Sequence, residues 1–118
     1  MTTSSAPRTP APAHRYEADH LHLSLLGDLD RDTSHEVLST AAAVLANRGR
    51  AQNLSIDCHR LDFVDSLGLA ALLEIHRDAA VLDVAVRLTR TRTRLERLLH
   101  LTGTYTHLTG RAPADGAI

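Results

Sequence analysis

Polar and apolar residues alternate from Tyr16 to Leu26. Leu21, Leu23 and Leu25 share one side and His20, His22 and Ser24 the other, the period of a half-buried strand. A first strand is expected just before it, near His14 to Ala18, and Gly27-Asp28 is expected to break the second. Thr33-Ser34-His35-Glu36 has the form of a capping box, with the threonine hydroxyl on an orphan amide and the glutamate reaching back. Val37, Leu38, Ala41, Val44 and Leu45 follow at helical spacing, and Asn47 to Gly49 supplies the stop.

Leu54, Ile56 and Cys58 alternate with Ser55 and Asp57, a further strand. The stretch Leu61 to Asp65 reads as a loop, and a helix begins at about Ser66 with Leu69, Leu72, Leu73, His76 and Ala80 as its apolar stripe. Val84, Val86 and Leu88 mark the next strand. Arg94 to Leu101 reads as a short helix with Leu95, Leu98 and Leu99 inward and Gly103 as its stop, and Tyr105 to Leu108 as a short last strand. Strands first, then α, β, α, β, α, imply two β-α-β units with parallel pairing. The expected fold is α/β: a small mixed sheet of four to five strands with an N-terminal hairpin and helices packed against it. Residues 1–13, with three of the four prolines, are expected to form a disordered tail, residues 14–109 the domain, and residues 110–118 a flexible C-terminal tail.

Composition narrows the function. A chain of 118 residues suits one domain, and 43% hydrophobic residues suffice for one core, built from aliphatics because aromatics are 3%. A net charge of −1 gives no broad field to attract nucleic acid. The basic run Arg87, Arg90, Arg92, Arg94 and Arg97 has no interleaved aromatics, so it reads as a solvated face or a rim for an acidic partner. The lone Cys58 cannot form an internal disulfide, which fits a reducing compartment. There is no apolar run near the ~20 residues of a membrane span, and the N-terminus has no hydrophobic signal region. A cytoplasmic protein without membrane insertion is expected, and a monomer needs no further assumption.

Enzyme signals are sparse. No phosphate-cradling glycine loop and no nucleophile elbow occur. His20 and His22 share a strand face, but no third ligand follows at a telling spacing, so no metal is expected. Cys58 and His59 are adjacent strand residues pointing to opposite faces, a poor nucleophile and base. Asp57, Asp62 and Asp65 with His59 could gather carboxylates and a base around one loop, yet no spacing selects a reaction. No catalytic residue and no cofactor are assigned.

The informative segment is Leu61-Asp62-Phe63-Val64-Asp65-Ser66-Leu67-Gly68-Leu69. It sets an acid and a hydroxyl at a loop-to-helix junction. Ser66 reads as the N-cap, with Asp65 favoured by the helix dipole. Gly68 within the first turn costs about 1 kcal/mol relative to alanine, which makes sense only where another surface approaches the backbone closely. A serine presented there is also a phosphorylation target, and a phosphate would add about −1.5 to −2 charges beside Asp65.

These residues resemble those of STAS domains, most of all the single-domain anti-sigma factor antagonists of bacteria. Gly27-Asp28-Leu29-Asp30 is similar to the family's Gly-Glu-Leu-Asp, and Asp65-Ser66-Leu67-Gly68-Leu69 to its Asp-Ser-Ser/Thr-Gly-Leu. Arg94 to Gly103 is similar to its final helix and turn. The resemblance implies an anti-sigma factor antagonist. Unphosphorylated, such a protein binds an anti-sigma factor that is also a serine kinase and so frees a sigma factor. The kinase phosphorylates it to switch it off, and a PP2C-type phosphatase resets it. By position the phosphoacceptor is Ser66, and Asp28, Asp30, Asp65, Ser66, Leu67 and Gly68 form the partner-binding surface. Leu67 departs from the pattern; it removes a second acceptor and either adds an apolar contact or tucks under the loop. The same fold also serves as a scaffold in stress-signalling complexes or as an accessory subunit of lipid transporters. In that role Ser66 is only a helix cap.

Overall fold

The computed structural model of the chain describes residues 13–17 and 19–111. The expected tails lie outside the described residues, apart from Ala13, Gly110 and Arg111. The elements run β1 (Ala13–Glu17), β2 (His20–Leu29), α1 (Ser34–Ala46), β3 (Asn53–Val64), α2 (Ser66–Val81), β4 (Ala85–Thr89), α3 (Thr93–Leu101) and α4 (Tyr105–Thr109). The fold is α/β, with helices packed on a sheet ordered β1-β2-β3-β4. Its parallel part is the three strands β2, β3 and β4, and β1 lies antiparallel beside β2.

Register explains why these strands make one core. Leu21 pairs with Leu54, which pairs with Val86; Leu23 pairs with Ile56, which pairs with Leu88. Strands placed with their apolar alternation in phase turn two continuous aliphatic rows to the same face. Those rows are almost wholly buried. Helices α1 and α2 cover them, α1 with Val37, Ala41, Val44 and Leu45, and α2 with Leu69, Leu72, Ile75 and Ala79. The stripe of α2 is thus turned from the one expected. Ala80 is exposed and His76 only half-buried, while Ile75 and Ala79 face the core, where the helix meets both α1 and the sheet.

Three boundaries differ from expectation. Gly27-Asp28 does not end β2: Gly27 takes φ of 72° at a register shift, and the strand runs on to Leu29. Leu61 to Val64 are strand rather than loop. Two further residues of β3 bulge against β2, which moves the buried phase from Cys58 to Leu61 and leaves Asp62 and Phe63 exposed. Tyr105 to Leu108 form helix α4, not a strand. Tyr105 and Leu108 sit three apart on one buried side, Thr109 Oγ1 donates to the Tyr105 carbonyl at 2.7 Å, and Gly110 closes the turn at φ 70°.

The capping box also does not form. The Thr33 hydroxyl turns back instead, donating to the Asp28 carbonyl at 2.8 Å and accepting from the Asp30 N–H at 2.9 Å. Asp30 Oδ1 accepts from the N–H of Asp32 at 2.9 Å and of Thr33 at 3.3 Å, and the Ser34 hydroxyl donates to the Asp30 carbonyl. This closed Asp28–Ser34 turn leads from β2 into α1.

The His76 ring on α2 lies 4.0 Å, centroid to centroid, from the His107 ring on α4. Burial, aided by the neighbouring His107, pushes the His76 pKa below its ordinary 6.5. In the unfolded chain His76 takes its proton near 6.5, and in the folded chain only at lower pH. Between those two values the unfolded state holds more protons, so stability falls as the pH drops below about 6.5. Urea midpoints measured from neutral pH downward should fall in wild type and fall less steeply in His76→Gln. Parallel curves for the two proteins would rule this out.

Candidate functional site

The site is the junction between β3 and α2, seated on the end of β2. The Asp65 N–H donates to the Leu29 carbonyl at 3.2 Å, and the β2–β3 register sets Asp28 beside Phe63 and Leu29 beside Val64. Asp65, not Ser66, is the N-cap. Its Oδ1 accepts from the Gly68 N–H at 2.8 Å, and the Leu69 N–H reaches its carbonyl at 2.9 Å. Ser66 is displaced to the first residue of the helix because the carboxylate one position earlier already satisfies the orphan donor. Its hydroxyl is exposed and makes no hydrogen bond to a described residue.

Gly68 is required by the chain itself. It is buried, and a Cβ there would stand 2.2 Å from the Leu29 oxygen and 2.8 Å from the Leu29 carbonyl carbon. The surface that approaches its backbone is the end of β2. Gly68 therefore seats α2 against Leu29 rather than meeting solvent. Asp30 likewise works inside the fold, its carboxylate held by backbone amides of the turn. Asp28 is exposed, and Leu67 is 50% exposed and not tucked under the loop. Asp28, Asp65 and Ser66 are thus brought to one edge, with Leu67 outside and Gly68 beneath.

Two features escaped the sequence pattern. Phe63, the only phenylalanine, is 42% exposed beside Asp28. Next to it opens a cleft of about 480 Å3, walled by Leu61 to Val64 on one side and by Thr91 to Glu96 on the other. Arg92 and Arg94 are exposed on that wall, and the Thr91 hydroxyl donates to Glu96 Oε2 at 2.6 Å. The one local signal was an aromatic set between aspartates, Asp62-Phe63-Val64-Asp65, in a chain so poor in aromatics.

The other candidate groups do not join this edge. Asp57 is paired with Arg90, whose Nε and terminal nitrogen donate to its two oxygens at 3.1 and 2.5 Å. That bond holds the Asp57 carboxyl below its ordinary 3.8. Burial pushes the Cys58 thiol up to about 12, so it carries no thiolate near neutral pH. His20 and His22 stack at 4.6 Å, and His20 Nε2 meets Ser55 Oγ at 2.7 Å. Among the described residues no three metal-ligating side chains converge.

This geometry sets the sign of one substitution. In an unhindered helix Gly→Ala stabilises by about 1 kcal/mol. Gly68→Ala should instead destabilise by about 1–3 kcal/mol, because rigid backbone occupies the Cβ position. Asp65→Ala should cost about 1 kcal/mol through the lost cap. Chemical denaturation of the two variants measures both, and a stabilised Gly68→Ala protein would refute the close approach.

Residues 13–109 match the family model described as Mlab, STAS domain. No curated protein matches the chain closely in sequence. Solved structures share the fold at low identity. An anti-sigma factor antagonist from Mycobacterium paratuberculosis is 21% identical, with 90% of this chain and 88% of that one covered at a TM-score of 0.72. A candidate anti-sigma factor antagonist from Thermotoga maritima is 16% identical over 83% of each chain, at a TM-score of 0.74. The Bacillus cell fate determinant SpoIIAA in its phosphorylated form is 18% identical, with 89% of this chain and 96% of that one covered at a TM-score of 0.61. With a family model spanning nearly all the described residues and the same α/β architecture beneath it, the chain belongs to the STAS domain family.

Proposed function

We propose that this STAS domain is an anti-sigma factor antagonist. Unphosphorylated, it binds an anti-sigma factor that is also a serine kinase, and so frees a sigma factor. Phosphorylation of Ser66 releases it, and a PP2C-type phosphatase restores it. The observation that carries the reading is the exposed, unbonded Ser66 hydroxyl at the first position of α2. Asp28, Asp65 and the exposed Leu67 and Phe63 surround it on one edge. The edge offers a partner apolar and acidic contacts together, while Asp30 and Gly68 hold its shape from within.

The switch follows from charge. Transfer of the γ-phosphoryl group from kinase-bound ATP to Ser66 Oγ releases ADP, and the hydroxyl proton passes to the kinase. The product adds about −1.5 to −2 charges beside Asp65 and Asp28. The start of α2 tolerates them through the helix dipole, so the fold survives. A partner docked there meets new bulk and like charge, and its dissociation quickens. Among the described residues no helix is long and apolar enough to cross a membrane. On this reading the domain, residues 14–109, works by binding and does so in the cytoplasm.

A second reading is favoured by the family description itself, Mlab, STAS domain. There the domain is an adaptor subunit of a larger assembly, as in lipid transport, and Ser66 serves only the helix start. Phosphosite mapping on protein isolated from its native host separates the two. The switch requires phosphate on Ser66 with an occupancy that changes between growing and stressed cells. It also requires Ser66→Ala to bind the kinase partner constitutively and Ser66→Asp to bind at least about tenfold more weakly. A chain that stays unphosphorylated in every condition and co-purifies with a large complex would decide for the adaptor.

A further inference from the structure

The helical layer carries an apolar groove of about 300 Å3 between the C-terminal halves of α1 and α2. Leu38, Ala42, Ala46 and Leu45 of α1 line one side, and Ile75 and Leu82 the other. A solvated helix face ordinarily carries charge. Here α1 shows water Ala42, Ala43 and Ala46. Beside the groove Val81, the last residue of α2, is 79% exposed, and Leu82 is 36% exposed. Arg48 and Asp78 also line it; Arg48 Nη1 donates to the Leu45 carbonyl at 3.0 Å, and neither side chain forms an ion pair with a described residue.

We infer that this face binds a second copy of the chain, as a two-fold symmetric dimer. One surface holds an apolar hollow and an apolar knob, a cation with no carboxylate partner among the described residues and an anion with no cation partner among them. That combination is self-complementary. In a two-fold contact each residue meets its counterpart twice, so Val81 of one protomer enters the hollow of its partner and Arg48 of one faces Asp78 of the other. Burying Val81 and Leu82 removes apolar surface from water, and the small alanines let the helices approach closely. The sequence alone gives no reason to expect more than a monomer; the hollow exists only once α1 and α2 lie side by side.

The dimer leaves the switch open. At about 1.5 Å per residue, α2 carries the groove ~14 to ~24 Å along its axis from Ser66, from Ile75 to Leu82. Two copies would then present two independent Ser66 edges, and this inference does not rest on the phosphorylation reading.

Sedimentation velocity of the full chain across a wide concentration range tests it. The expected result is a reversible shift from monomer to dimer. Val81→Asp should raise the dissociation constant about tenfold or more, with the far-ultraviolet circular dichroism unchanged. Arg48→Asp and Asp78→Arg should each weaken the dimer, and the double charge reversal should restore it. Ser66→Asp should leave it intact. A chain that stays monomeric at every concentration overturns the inference, including when the groove belongs to a different protein. So does a dimer that Val81→Asp and the charge reversals leave unmoved.

Discussion

The parallel pairing of β2 with β3 governs this structure. It places Leu21 and Leu23 beside Leu54 and Ile56, and so creates the aliphatic rows that β4 extends and α1 and α2 cover. The same pairing, carried through its bulges to Leu29 and Val64, ends where α2 must begin. The Leu29 carbonyl receives the Asp65 N–H and fills the space where Gly68 would carry a side chain. Core and site are two ends of one hydrogen-bonded ladder.

Acidic residues along that edge divide their work. Asp65 caps α2 through Gly68, and Asp30 ties the turn before α1 through the amides of Asp32 and Thr33. Because those carboxylates already have backbone partners, what remains outward is Asp28, the Ser66 hydroxyl and the side chains of Phe63 and Leu67. A surface built this way can change its charge at Ser66 without withdrawing a support from the fold. The supports are backbone amides and a glycine, not the serine.

Helix α2 gives the domain two separated and differently built ends. Its N-terminus meets β2 and β3 and presents Ser66, while its C-terminus lies against α1 and leaves an apolar hollow. Between them Leu69, Leu72, Ile75 and Ala79 fix the helix to the core, so both ends are held by one rigid element.

Periodicity alone determined the β-α-β-α-β succession, the aliphatic faces of β2, β3 and β4 and the burial of Cys58, and the residue string around Ser66 carried the resemblance to the family. These are local, because a strand or helix face is written at every second, third or fourth residue. Tertiary contact decided the rest. Whether Asp65 or Ser66 caps α2 depended on which oxygen reaches an amide first once Leu29 anchors the junction. The need for Gly68 lay in the backbone of Leu29, thirty-nine positions earlier in the chain. The bulges that expose Phe63 arise from pairing with β2, and α4 replaced an expected strand because Tyr105 and Leu108 found a buried side three residues apart. Close approach and register are properties of two segments at once, so neither segment's own sequence contains them.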